Sequence, residues 1–320
     1  KNAKGLDLSE EDVVESLQFN GKFKDIKAYS LINGKDIKSD KEIDIKSPHS
    51  SSVLGKKYFA DEKISETAIE SLKEYSSKWK KFPIEKKVEI FLKFSNLIED
   101  NTNDIIEICA KESGKSIKNS IAEIREAIDF CRYYSKEALN LFQTQTLKGP
   151  TGELNQYRMV GKGLSFVVSP WNFPVAIFIG QTVAALITGN VVITKPAEQS
   201  SFAAYYIIKL LLKAGLPSNA IALLLGDGAL IGKKVINDKK LKNVIFTGSL
   251  ETAKIIQSNL QQKENIPTFI AETGGLNCMI VDTSALTEHV VKDVVNSGFD
   301  SAGQRCSACR ILCVEENIYE

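Results

Sequence analysis

Apolar residues recur along this chain with two different periods, and the change of period divides it. Between Lys63 and Phe142 they lie three and four positions apart, as at Ile84, Val88, Phe91 and Leu92, then Ile121, Ile124, Ile128 and Cys131. That spacing lines one face of a helix, so the segment is predicted to be helical. Pro83 suits the first turn of a second helix, and Gly114 separates it from a third. After Gly161 short, continuous apolar runs take over: LSFVVS (164–169), NVVITK (190–195), IALLLG (221–226), NVIFTG (243–248) and TFIAET (268–273). Helical stretches lie between them at 174–188, 199–214 and 249–262. The runs return about every 25 residues, the spacing of βα units. Continuous apolar strands alternating with amphipathic helices predict an α/β fold with a parallel sheet covered on both faces.

The first 62 residues are mixed and turn-rich (NGK, SPHSSS), with one amphipathic segment, LSEEDVVESLQF (8–19). Ser9 followed by Asp12 marks a helix start there. Residues 1–50 are read as a linker or docking segment. The chain begins at Lys1 and stops abruptly at Glu320, so a fragment cut at both ends is expected.

Composition narrows the class. With 43% hydrophobic and 25% charged residues, the 320-residue chain reads as soluble and globular. A net charge of +1 without blocks of like charge gives no indication of nucleic-acid binding or of an anionic membrane surface. VAALI (183–187) and IALLL (221–225) are far too short to span a bilayer, and no signal peptide precedes them. Six irregularly spaced cysteines in a chain this large favour reduced thiols and a cytoplasmic setting.

Ligands of such sheets bind at the carboxyl ends of the strands, and chemically capable residues sit there. Cys306, in FDSAGQRCSACR (299–310), is a candidate nucleophile. Taken alone it also fits a buried small hydrophobe, or a CxxC pair with Cys309. A zinc site would want more ligands than the two histidines, His49 and His289, offer, and no metal is expected. Asn172, in SPWNFP (169–174), is either a turn residue or an amide donor to an oxyanion, stiffened by two prolines. Glu272, before Thr273, Gly274 and Gly275, is either a surface carboxylate or a base that activates water. Lys195 and Glu198 in TKPAEQS suit a ribose-binding pair or a plain helix N-terminus. A carboxylate at that place would repel a 2′-phosphate, favouring NAD over NADP. Gly248 and Ser249 open a helix where amides suit a pyrophosphate, and GDGALIG (226–232) is a rival phosphate loop. Both glycine patterns also fit ordinary turns.

With these residues assembled, the chain resembles the aldehyde dehydrogenase superfamily from about residue 50 onward, on SPWNFP, TKPAEQS, FTGS, ETGG and GQRC in that order. IAEIREAIDFCRYYS (121–135), AETGGLNCMIVD (271–282) and FDSAGQRCSACRILCV (299–314) look most like the L-glutamate γ-semialdehyde dehydrogenase domain of bifunctional proline utilisation proteins. GLDLSEEDVVESL (5–17) is similar to the segment preceding that domain. The resemblance implies a Rossmann-type NAD-binding domain over 51–270, helical over 63–142 and with its parallel sheet over 163–270. It makes 271–320 the start of a catalytic domain whose remainder lies beyond Glu320, including the later cofactor contact, the carboxylate-anchoring loop and the oligomerisation hairpin. It also implies an upstream FAD-dependent proline dehydrogenase barrel and a homo-oligomeric parent protein.

For the reaction, the resemblance implies that Cys306 attacks the aldehyde while Asn172 and the Cys306 N–H hold the oxyanion. Hydride then passes to NAD, and Glu272 activates water against the thioester. Lys195 and Glu198 would hold the adenosine ribose, Ser249 with Gly248 the pyrophosphate, Trp171 the nicotinamide side and Ser307 the substrate carboxylate. Ala253 departs from the family's second glycine after FTGS. The extra thiols Cys309 and Cys313 raise the hypothesis of a reversible Cys306–Cys309 bond, which thiol counting after mild oxidation would test.

Overall fold

The computed structural model describes residues 2–19, 21 and 23–319. A short helix α1 (Glu11–Ser16) opens the chain, with Glu10 rather than Ser9 at its N-cap; the Ser9 side chain instead bonds Asp7. Five strands follow: β1 (Ile26–Ala28), β2 (Ser30–Ile32), β3 (Lys35–Ile37), β4 (Glu42–Lys46) and β5 (Val53–Tyr58). The segment expected to be a linker is therefore strand-bearing, and β2 pairs antiparallel with a strand of the main sheet. These strands are short and pair largely among themselves, and β2 also reaches a strand far along the chain. Ser30 Oγ, for example, accepts from Leu225 N at 3.0 Å. No local alternation announces such pairing.

Four helices then pack together: α2 (Glu62–Lys81), α3 (Ile84–Asp100), α4 (Thr102–Ser113) and α5 (Ile117–Leu141). Caps explain their bounds. Asp61 accepts from Ile64 N, Gly114 ends α4 in the left-handed conformation (φ 66°), and Ser116 accepts from Asn119 N. The second predicted helix is two, because Asn101 leaves helical geometry and its side-chain amide donates to Leu97 O at 2.7 Å. Trp79 is fully buried, its indole N–H donating to Leu186 O at 2.9 Å across the layer.

A hairpin, β6 (Gln145–Leu147) with β7 (Asn155–Tyr157), leads into the alternating region. There β8 (Leu164–Val168), α6 (Ala176–Ile187), β9 (Val191–Lys195), α7 (Ser201–Lys213), β10 (Ile221–Leu223), α8 (Gly228–Ile236), β11 (Leu241–Gly248), α9 (Leu250–Gln261) and β12 (Thr268–Thr273) follow in turn. The sheet runs β12-β11-β8-β9-β10-β2-β3, parallel from β12 to β10. Because the chain moves outward from β8 through β9 and β10, then returns to β11 on the other side, the crossovers reverse at β8. A crevice opens at the carboxyl ends of strands at such a reversal. Beyond it, β13 (Asn277–Val281), α10 (Thr287–Phe299) and β14 (Cys309–Val314) form a small parallel pair with its helix. The buried core is continuous through the main sheet and its helices and reaches Leu260. Among the described residues no helix is long and apolar enough to cross a membrane.

Candidate active site

Strand ends and the loops after them line a cleft of about 740 Å³, a size suited to a small molecule or cofactor. Trp171 and Asn172 come from the turn after β8, Lys195 and Glu198 from the end of β9, and Gly248 and Ser249 from the end of β11. Glu272 comes from β12, level with Thr247 of β11, and Cys306 from the loop before β14. Eight of the nine residues singled out from sequence thus share one cleft. Ser307 does not line it and is exposed beside Cys306.

The cysteine loop is held on several sides. Ser301, Ala302 and Gly303 are consecutively left-handed (φ 56°, 55° and 67°), turning the chain sharply after α10. Arg310 Nη2 donates to Gly303 O at 2.5 Å, and Asn277 Nδ2 donates to Cys306 O at 2.6 Å and Ala308 O at 3.1 Å. Asn172 Nδ2 donates to Gln304 O at 2.8 Å, so the amide from β8 reaches within two residues of the thiol. A carboxamide has a second N–H, which this contact leaves for another acceptor. Cys306 itself is exposed and unbridged. The close thiol pair is a different one, Cys278 and Cys313, with sulfurs 3.5 Å apart.

On the other wall Lys195 is 3% exposed. Its Nζ donates to Pro196 O at 2.9 Å and pairs with Glu198 Oε1 at 3.1 Å. Burial holds the ammonium below the ordinary lysine range, and Glu198 opposes that shift. Glu198 Oε1 also accepts Gly228 N at 2.9 Å, so the rival glycine loop has its amide committed to holding the carboxylate. Asp227 caps α8 through Leu230 N at 2.8 Å. Ser249 caps α9, its hydroxyl accepting from Thr252 N at 3.2 Å. Helix geometry leaves the preceding amides, of Leu250 and Glu251, without intrahelical partners. Ser169 Oγ lines the cleft as well, buried and without a partner among the described residues.

Sequence reading passed over the supports. Lys115 Nζ donates to Asn172 O at 2.8 Å and pairs with Glu123 Oε1 at 2.5 Å. Asn119 Nδ2 donates to Asp300 Oδ1 at 3.1 Å, and Arg305 Nη2 donates to Asn119 Oδ1 at 3.0 Å. The available signal was polar Asn119 and Glu123 at i, i+4 around the apolar Ile121/Ile124 face. Among the described residues no group of three or more His, Cys, Asp or Glu could hold a metal ion.

Comparison with known proteins places this geometry. The aldehyde dehydrogenase family model matches residues 36–320. The bifunctional protein PutA of Escherichia coli (strain K12) is 38% identical over 325 residues, covering 99% of this chain and 24% of that protein. The 1-pyrroline-5-carboxylate dehydrogenase of Bacillus subtilis (strain 168) is 32% identical over 298 residues, covering 91% of this chain and 57% of that protein. A crystal structure of 1-pyrroline-5-carboxylate dehydrogenase from Thermus with bound NAD superposes with a TM-score of 0.95 at 27% identity, covering 100% of this chain and 64% of that one. The chain therefore spans less than two thirds of the length of each. With the match running from the N-terminal strands through Cys306 to the last residue, the chain belongs to the aldehyde dehydrogenase family.

Proposed function

We propose that the protein oxidises L-glutamate γ-semialdehyde, the open form of 1-pyrroline-5-carboxylate, to L-glutamate with NAD. The observation that carries this is the single cleft shared by Cys306, Asn172 and Glu272 with Lys195 and Glu198. The names of the relatives support the substrate. The cleft suits NAD on its own chemistry. An orphaned Ser169 hydroxyl, the free amides opening α9 and the second oxygen of Glu198 are donors and acceptors for phosphate and hydroxyl groups.

In this reading the Cys306 thiolate adds to the aldehyde carbon. The carbonyl electrons move onto oxygen, which Asn172 Nδ2 and the Cys306 N–H hold. A free thiol is only a few per cent ionised near neutral pH, so such donors around the sulfur matter. Bound NAD would supply the hydride acceptor, and Cys306 holds the acyl group as a thioester once the hydride has left. Glu272 takes a proton from water, the resulting hydroxide adds to the thioester, and the thiolate leaves with release of the carboxylate. Lys195 and Glu198 would hold the adenosine ribose, Gly248 and Ser249 the pyrophosphate, and Trp171 would stand on the nicotinamide side. Ser307 addresses the substrate carboxylate from outside the cofactor cleft. We further propose a cytoplasmic, homo-oligomeric parent protein that carries an FAD-dependent proline dehydrogenase domain. NADH formation on a panel of small aldehydes, with Cys306→Ala as control, tests the reading. Preference for another carboxylated aldehyde would replace the substrate, and activity surviving Cys306→Ala would remove the mechanism.

A further inference from the structure

The turn carrying Asn172 is gripped at both ends by one buried ion pair. At its start Lys115 Nζ donates to the Asn172 carbonyl at 2.8 Å and lies over the Phe173 ring, 4.7 Å from its centroid. At its end Glu123 Oε2 accepts Val175 N at 2.9 Å and Ala176 N at 3.1 Å, fixing the start of α6. The two grips are joined through Lys115 Nζ and Glu123 Oε1 at 2.5 Å, with side chains 7% and 1% exposed. Pro174 lies between the grips and Pro170 just before them, and both restrict the backbone of the turn. The Asn172 side chain points toward the cysteine loop, where it meets Gln304 O.

Stability alone is a poor reason for this arrangement. Replacing a buried ion pair by apolar groups of similar volume is often neutral or stabilising, whereas removing one partner is costly. What the pair specifies is position. The same face of α5 holds the other side of the site, because Asn119 ties Asp300 and Arg305 of the cysteine loop. Helix α5 therefore sets the amide and the thiol against each other from a common frame.

We propose that Lys115 and Glu123 are positioning residues for the aldehyde oxidation, acting through Asn172 to aim its amide N–H at the oxygen that gains charge. The inference rests on the oxyanion role given to Asn172 above. Neither side chain touches substrate. Their effect falls on the step after binding, since misplacing a donor by a fraction of an ångström weakens it most where charge develops.

A double-mutant cycle tests this, using steady-state oxidation of the semialdehyde with NAD by the full-length parent protein. Asn172→Ala is expected to lower kcat by about 10²–10³-fold, the ordinary loss for one oxyanion donor. Lys115→Met is expected to lower kcat by about 30–100-fold, leaving KM and Kd for NAD within twofold. In the Asn172→Ala background the same substitution is expected to cost less than threefold, because its target is already gone. Lys115→Arg, which keeps a cation over Phe173 and a donor to the carbonyl, restores at least a third of the lost kcat. Should Lys115→Met fail to fold, Glu123→Gln replaces it in the cycle with the same expected non-additivity. Equal losses in both backgrounds, or a loss that follows NAD affinity or melting temperature instead of kcat, overturn the positioning role. An Asn172→Ala enzyme within tenfold of wild type overturns the oxyanion reading itself, and this inference with it.

Discussion

Replacing Glu198 with Gln removes one charge and keeps the shape of the turn after β9. In the structure Glu198 Oε1 is taken by Lys195 Nζ at 3.1 Å and Gly228 N at 2.9 Å, leaving Oε2 for the adenosine ribose. A hydrogen bond to a charged group is stronger than a neutral one by about 1–1.5 kcal/mol, so NAD affinity should fall about tenfold. NADP responds in the opposite sense. Its 2′-phosphate would sit against the carboxylate, and two unit charges 4 Å apart repel by about 1 kcal/mol even with water-like screening. That lower figure applies because the side chain is 36% exposed. Removing the repulsion should improve NADP about fivefold, so the ratio of dissociation constants moves by about fifty-fold toward NADP. The fold should survive, since the amide still accepts from Gly228. Lys195, already lowered by burial, loses its charged partner and shifts further down. Calorimetric titration of the two dinucleotides, with circular dichroism as a control, measures this directly. A ratio that moves less than twofold in a folded variant refutes the placement of the ribose at Glu198.

Other expectations follow from the same coordinates. Glu112 is buried, accepts Phe202 N and Ala203 N at the start of α7, and is pushed up to about 7 by burial. Between pH 4.5 and 7 the folded protein keeps a proton that the unfolded chain has released, so raising the pH across that window costs stability. The shift corresponds to about 3 kcal/mol; Glu112→Gln should flatten this slope in denaturant titrations from pH 4.5 to 8, and an unchanged slope would contradict the assignment. Gly303→Ala forces a side chain onto a residue at φ +67°, with its Cβ 2.9 Å from Gly298 O. The loss should be about 1–2 kcal/mol in thermal unfolding, with slower alkylation of Cys306; an unaffected thiol would show that the loop does not set its reactivity. Ser249→Ala removes the cap of α9, for about 1 kcal/mol of stability and a several-fold loss of NAD affinity. Stability lost with NAD affinity unchanged would leave Ser249 as a cap alone.

What sequence disclosed and what it hid have physical causes. The five apolar runs match the five parallel strands to within three residues; β8, β9 and β10 are buried on both faces and leave an uninterrupted local signal, while β12 at the sheet edge is half exposed. Cys306, Asn172 and Glu272 were legible because they lie at strand ends or in compact turns. The N-terminal strands were not, since they are only three to six residues long and β2 joins the main sheet through a partner nearly two hundred residues away. The break at Asn101 depends on one side-chain hydrogen bond inside an otherwise continuous helical pattern. Lys115 and Glu123 were hidden for another reason: charges near a helix start usually face water, and nothing local shows these two buried beneath the Asn172 turn.

The claim on which all else depends is that aldehyde carbon becomes bonded to one particular sulfur. Glu272→Gln should slow release of the acyl group without preventing its formation. That variant, mixed with NAD and the semialdehyde, quenched in acid and mapped by peptide mass spectrometry, should carry a glutamyl thioester on Cys306 and on none of the other five cysteines. NADH formed in stoichiometric amount with Cys306 unmodified, or the adduct on another thiol, would contradict it.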